Sequence, residues 1–201
     1  MTWKNDQVNS LETDKILELA RNSLKSSGDF VELGCYKGDT SLLIAEILKN
    51  TDHILYIYDS FEGLPEKTGN DESALGENFK GGELFVAKRE VKERFLRAGL
   101  KLPVIKKAWF NELTDEDLPE KIAFAFLDGD FYESIRDSLK LIDGKMVEGG
   151  TIVVHDYMNP ALPGVKKAVD EWLINKQVKQ NTFQSMIIIN DWVWDNGEKI
   201  K

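Results

Sequence analysis

Short apolar runs that each end in glycine or an acidic residue constrain this chain more than any other feature. They are Asp29-Phe30-Val31-Glu32-Leu33-Gly34, Ile54-Leu55-Tyr56-Ile57-Tyr58 before Asp59, Ile122–Leu127 before Asp128, and 151–154 before His155-Asp156. The later runs are continuously apolar, as strands buried on both faces must be. Helical spacing separates them. Ile16, Leu19, Ala20 and Leu24 mark a leading helix over 10–24, with Ser10 and Thr13 available as N-caps. Further helices are expected over 40–49, around Leu84, Val91 and Phe95, over 134–142, and around Val165, Ala168, Val169, Trp172 and Leu173. Pro103-Val104-Ile105 supplies a shorter strand, and 182–194 reads as a terminal hairpin with its turn signal at Asn190-Asp191. Alternating strands and helices predict an α/β fold: an open, mostly parallel sheet with helices on both faces and an antiparallel hairpin at one side.

The chain has 201 residues, 42% hydrophobic and 30% charged, which fits one folded domain and excludes disorder as the main state. Its 26 basic and 35 acidic residues give a formal charge of −9, with no basic tract, so no nucleic-acid partner is expected. The single Cys35 cannot form an intramolecular disulfide, and with two histidines it cannot build a cysteine-rich zinc site. No apolar run approaches the roughly 20 residues needed to span a bilayer, and Met1-Thr2-Trp3-Lys4-Asn5-Asp6 has no apolar signal core. A cytoplasmic protein without a membrane partner is expected. The glycine-rich stretch 61–82 lacks a strand pattern; a stretch of that length is a lid or a disordered insertion.

Ligands of open α/β sheets bind beyond the carboxyl ends of the strands. The acidic residues gather there: Glu32 and Gly34 after the first strand, Asp59 after the second, Asp128 and Asp130 after the fourth, and His155 with Asp156 after the fifth. A single such residue is more often a helix cap; four clusters favour a site. Glu32-Leu33-Gly34-Cys35-Tyr36-Lys37-Gly38 lacks the middle glycine of the dinucleotide pattern, which disfavours a pyrophosphate and hence a nicotinamide-dependent oxidoreductase. A nucleoside without a pyrophosphate fits, with Asp59 accepting both ribose hydroxyls. S-adenosylmethionine is such a ligand, its amino group matched by Glu32 or by turn carbonyls. Asp128, Asp130, Asp156 and His155 would repel one another unless a cation or protons intervene, so a divalent metal is expected. The alternatives are that Asp130 caps the following helix and His155 is a packed core histidine. His53 reads as a surface residue, and Cys35 has no catalytic relay beside it.

Val31-Glu32-Leu33-Gly34-Cys35-Tyr36-Lys37-Gly38, Asp59-Ser60-Phe61-Glu62-Gly63-Leu64-Pro65, Ala108-Trp109-Phe110, Leu127-Asp128-Gly129-Asp130-Phe131-Tyr132-Glu133-Ser134, Gly149-Gly150 and Val165-Lys166-Lys167-Ala168-Val169-Asp170-Glu171 together resemble the macrocin O-methyltransferase family. The resemblance implies a Rossmann-like class I methyltransferase domain using S-adenosylmethionine and a divalent metal to methylate sugar hydroxyls. It implies that Glu32, Gly34 and Tyr36 surround the methionine part of the cofactor, that Asp59 holds the ribose with Ser60 beside it, and that Ala108 and Trp109 line the adenine. Asp128 would bind metal at the cofactor's side, and Asp130 would be the general base. Where the family has two adjacent acidic residues this chain has His155-Asp156, which leaves Asp128 and Asp156 as ligands, with His155 either a third ligand or a residue that supports them from behind. Mixed nitrogen and oxygen ligation suits manganese, iron or zinc better than magnesium.

The sequence is therefore expected to comprise an N-terminal helical segment, 1–28, and a methyltransferase domain, 29–201. The expected partner is a small hydroxyl-bearing acceptor, a sugar or other vicinal diol, and a homodimer is allowed. A non-catalytic nucleoside- or partner-binding domain is the rival.

Overall fold

The computed structural model describes residues 7–75, 79–190, 194–195 and 198–199. Residues 1–6, read above for a signal core, and Asp191 of the expected turn lie outside them. The apolar runs form the parallel strands β1 (Asp29–Leu33), β2 (Leu55–Asp59), β3 (Val104–Lys107), β4 (Ile122–Leu127) and β5 (Met146–Val154). The strands β6 (Lys179–Phe183) and β7 (Met186–Asn190) return as an antiparallel hairpin against β5. The sheet order is β3-β2-β1-β4-β5-β7-β6, and a separate short pair, β8 (Trp194–Asp195) and β9 (Glu198–Lys199), follows. This is the expected α/β arrangement.

Alternation along each central strand divides the core in two. Phe30, Ile57, Phe124, Phe126 and Val153 pack against α1 (Ser10–Ser23), α2 (Asp39–Leu48) and α3 (Lys88–Ala98) through residues such as Ile16, Leu42 and Phe95. Val31, Leu33, Ala125, Leu127, Ile152 and Val154 face α4 (Tyr132–Ile142) and α5 (Pro163–Leu173) through Ile135, Leu139, Val165 and Val169. Glu32 shares the parity of Phe30, and His155 that of Val153, so both point toward the side holding α1 and α2. None of the helices among the described residues is long and apolar enough to cross a membrane.

Local expectations are corrected in four places. The cap of α1 is Asn9, whose side chain accepts from Glu12 N–H at 3.0 Å, and not Ser10 or Thr13. Leu84 precedes α3 in a left-handed conformation (φ 61°) and packs with the opposite core from Val91 and Phe95. The hairpin reverses at Gln184-Ser185, with Gln184 at φ 53°, because Phe183 pairs with Met186; Asn190 instead ends β7. His53 is half-buried: its Nδ1 lies 2.6 Å from Gly28 O and its ring meets Phe30 edge-on, tying the loop before β1 to the entry of β2.

The stretch 61–82 is fastened at several points among its described residues. Leu64 N–H donates to Glu83 O and Gly82 N–H to Leu64 O, closing its base. The buried Asp71 accepts the first N–H of α4 from Tyr132 at 2.7 Å, and Asn70 and Ser73 bond to Lys167 and to Pro160 O.

Because the Asn9 amide satisfies an orphan N–H of α1, Asn9→Ala is expected to lower unfolding stability by about 1 kcal/mol. Ser10→Ala is expected to stay within about 0.5 kcal/mol of the parent in the same urea titration.

Candidate active site

The crossovers leave β1 and β4 in opposite directions, so a crevice opens above their carboxyl ends. There the chain leaves β1 through Gly34, at φ 90°, and an added Cβ would sit 2.0 Å from the carbonyl oxygen of Asp128. Only glycine allows this approach. It brings the turn after β1 and the turn after β4 into one wall. Asp59, at the end of β2, holds the same turn: Oδ2 accepts from Cys35 N–H at 2.9 Å and Tyr36 N–H at 3.1 Å, and Oδ1 from Phe61 N–H at 2.7 Å. Arg94 of α3 clamps the turn from outside through Lys37 O and the Asp39 carboxylate.

A cavity of about 390 Å³ results, within the range of small-ligand sites. Its lining includes every site residue named from the sequence: Glu32, Gly34, Tyr36, Asp59, Ser60, Ala108, Trp109, Asp128, Asp130, His155 and Asp156. Ala108 is placed by its N–H bond to Asp59 O at 3.0 Å, and Trp109 by its N–H bond to Glu112. The Ser60 hydroxyl is used locally, donating to Gly63 O and accepting from Glu62 N–H. Gly63, Leu64, Pro65 and Phe79 bring the 61–82 stretch onto the cavity rim.

Glu32 lies at the cavity floor, 1% exposed, and its Oε2 has no hydrogen-bond partner; the Ser41 hydroxyl is likewise unpaired. Burial, reinforced by the charges of Asp128 and Asp59, pushes its pKa up to about 8. A buried carboxylate oxygen without a partner is costly, and a cation beside it would offset that cost. Cys35 is buried too, and burial beside Asp59 pushes its thiol pKa well up, in keeping with an inert cysteine.

Beyond β4 and β5, Asp130 and Asp156 both adopt left-handed backbone, at φ 60° and 58°. Aspartate tolerates that region better than most residues, yet two such positions at adjacent strand ends are strained. The N-cap of α4 is Phe131, and Asp71 bonds the first N–H, so Asp130 is no helix cap. Burial, then Asp128 and Asp156, pushes the Asp130 pKa well above the usual carboxylate range. His155 is buried against the Phe126 ring. Its Nδ1 lies 3.0 Å from both Asp128 Oδ1 and Asp156 Oδ2. Its Nε2 lies 3.5 Å from Oε2 of Glu12, a residue of α1 that no sequence motif marked. Burial opposes a charge on His155, but Asp128, then Asp156 and Glu12, overcome it and push its pKa strongly up. Glu12 itself is buried against its ionised form, but bonds from His155 and Ser185 hold its pKa down at about 2.

One ligand atom from each of Asp128, His155 and Asp156 lies within 4.8 Å of the others. Neighbouring ligands of an octahedral ion with bonds of about 2.1 Å lie about 3 Å apart, the Nδ1-to-carboxylate spacing found here. The donor set therefore fits a divalent ion, which would take the place of the Nδ1 proton.

The family model described as macrocin O-methyltransferase (TylF) matches residues 12–192. The chain is 30% identical over 154 residues to 8-demethyl-8-(2,3-dimethoxy-alpha-L-rhamnosyl)-tetracenomycin-C 4'-O-methyltransferase of Streptomyces olivaceus. It is 31% identical over 154 residues to demethyldecarbamoylnovobiocin O-methyltransferase of Streptomyces niveus. Each match covers 72% of this chain and 58% of the relative, so the matched region spans under two thirds of their length. The solved O-methyltransferase NovP superposes with a TM-score of 0.74 at 26% identity, covering 89% of this chain and 78% of NovP. The strand order, the strand-end carboxylates and these matches agree: the chain belongs to the macrocin O-methyltransferase family.

Proposed function

We propose that the protein transfers a methyl group from S-adenosylmethionine to a hydroxyl of a small molecule, a sugar or other vicinal diol, with help from a divalent metal. The observation that carries this is Glu32, a buried carboxylate with an open oxygen at the floor of a nucleoside-sized cavity. The cofactor's ammonium supplies the missing partner. Gly34 and Tyr36 flank the methionine part, Ala108 and Trp109 line the adenine, and Asp59 with Ser60 lies at the ribose. Asp59 Oδ2 accepts from two N–H groups and Oδ1 from Phe61 N–H, so one remaining lone pair on Oδ1 is the acceptor left for a ribose hydroxyl. Residues 29–201 form the methyltransferase domain, 1–28 carries the helix that backs His155, and 61–82 acts as a strap over the cavity.

Asp128, His155 and Asp156 would hold the ion, which when bound would supply Lewis-acid polarisation of the acceptor hydroxyl. Manganese, iron or zinc suits this set better than magnesium. Asp130 takes the hydroxyl proton while the oxygen–methyl bond forms and the methyl–sulfur bond breaks, leaving S-adenosylhomocysteine and the methyl ether. Asp130 acts in its ionised form, which a cation held beside it would favour over the neutral form that burial and its neighbouring carboxylates impose. Asn159, bonded to Asp156 Oδ1 at 2.9 Å, steadies that carboxylate.

Isothermal calorimetry tests the cofactor assignment. Pairing with an ammonium requires the Glu32 carboxylate, so S-adenosylhomocysteine affinity is expected to rise by up to about tenfold per pH unit below pH 8. Glu32→Gln is expected to bind weakly and to lose this dependence; a variant binding like the parent contradicts the assignment. The folded pKa of Glu32 lies above its ordinary 4.5, so this group's stabilising contribution is full at low pH and is lost as pH rises through about 8. Glu32→Gln should therefore melt higher than the parent at pH 9 and close to it at pH 5.

Asp130→Asn keeps the shape but removes the basic oxygen. Turnover on a hydroxyl acceptor is expected to fall by roughly 10²–10⁴ with cofactor affinity unchanged. Full turnover would send the search for the base elsewhere. Stripping divalent ions with a chelator is expected to abolish turnover and spare S-adenosylhomocysteine binding, and added Mn²⁺ is expected to restore it.

A further inference from the structure

We infer that Glu12, from the N-terminal helix, is a positioning residue that fixes which ring nitrogen of His155 faces the metal position; this rests on the metal reading above. Glu12 is 3% exposed, and its two oxygens have separate duties. Oε1 accepts from Ser185 N–H at 2.9 Å and Ser185 O–H at 2.6 Å, at the tip of the β6–β7 hairpin. Oε2 accepts from Asn9 Nδ2 at 2.6 Å and faces His155 Nε2 at 3.5 Å. The carboxylate is thus held by two elements, α1 and the hairpin, and presented to the imidazole from behind.

An imidazole that ligates through Nδ1 keeps its proton on Nε2, and that N–H needs an acceptor in a buried site. Glu12 is that acceptor. It is an acceptor only, so it holds a proton on Nε2, and the proton that an ion between Asp128 and Asp156 would displace is the one on Nδ1, where both carboxylates lie 3.0 Å away. A histidine substituted for a carboxylate ligand would otherwise be free to present an N–H toward the ion. Glu12 removes that freedom, and it links the metal position to the N-terminal helix rather than to the strand-end loops alone.

Glu12→Gln tests this with a side chain of nearly the same shape. The two Ser185 donors outnumber the single Asn9 donor at the other oxygen, so they claim the amide oxygen, and the amide NH₂ turns toward Nε2 and stabilises the ring carrying its proton on Nδ1. Mn²⁺ affinity, read by electron paramagnetic resonance of the free ion, is expected to fall ten- to a hundredfold. The ¹⁴N coupling of a coordinated histidine in the pulsed spectrum should be lost, while S-adenosylhomocysteine affinity stays within about twofold. Ser185→Ala loosens the same helix–hairpin junction without changing the group that faces His155. It is expected to keep both Mn²⁺ affinity and the ¹⁴N signal, which separates positioning from mere stabilisation of the fold. Glu12→Gln binding Mn²⁺ with parental affinity and coupling overturns the role of Glu12 and leaves the metal reading intact. Equal loss in Ser185→Ala also overturns it. A parent protein that takes up no Mn²⁺ overturns the metal reading and this inference together.

Discussion

The contact between the Gly34 backbone and the Asp128 carbonyl is the constraint on which the site depends. A Cβ at position 34 would come within 2.0 Å of that oxygen, so the two turns close only around glycine. Through this contact the turn that follows β1 and the turn that follows β4 become one surface. Asp59 and Arg94 then fix the first turn from either side, and Asp71 secures the N-terminus of α4 just beyond the second. The sheet's switch point supplies the crevice, and these polar ties set its shape.

The resulting cavity concentrates negative charge to an extent that the folded chain alone does not neutralise. Glu32 buries an oxygen without a hydrogen-bond partner, Asp130 is pushed toward its neutral form, and His155 is drawn toward its cationic form by three carboxylates. A cationic cofactor and a divalent ion would relieve this repulsion. The strained backbone of Asp130 and Asp156 belongs to the same pattern, since sparsely populated conformations persist where the surrounding structure holds them for a task.

Much of this was legible in the sequence because strand-end residues are local in both pattern and place. An apolar run gives the strand, the residue after it gives the strand end, and the α/β rule gathers the ends. That logic points to Glu32, Gly34, Asp59, Asp128, Asp130, His155 and Asp156, while Tyr36, Ser60, Ala108 and Trp109 come from the family resemblance; all of them line one cavity. Glu12 was not legible, because it sits within an ordinary amphipathic helix and meets His155 only through packing of α1 on the sheet. The hairpin turn was misplaced for a related reason: Asn190-Asp191 carries the stronger local signal, but cross-strand pairing and the Glu12–Ser185 bonds put the reversal at Gln184-Ser185. The three N–H bonds that Asp59 accepts from its own and the neighbouring turn are set by the packing of β1 beside β2, and no local sequence pattern announces them.

The central claim is that one cavity holds a nucleoside cofactor over Glu32 and a divalent ion between Asp128, His155 and Asp156. A crystal structure with S-adenosylhomocysteine and Mn²⁺, with data collected at the manganese absorption edge, addresses it most directly. The expected result is the ligand's ammonium against Glu32 and a single anomalous peak among the three metal-position side chains. A nucleoside bound elsewhere, or no anomalous peak in that cluster, would contradict it.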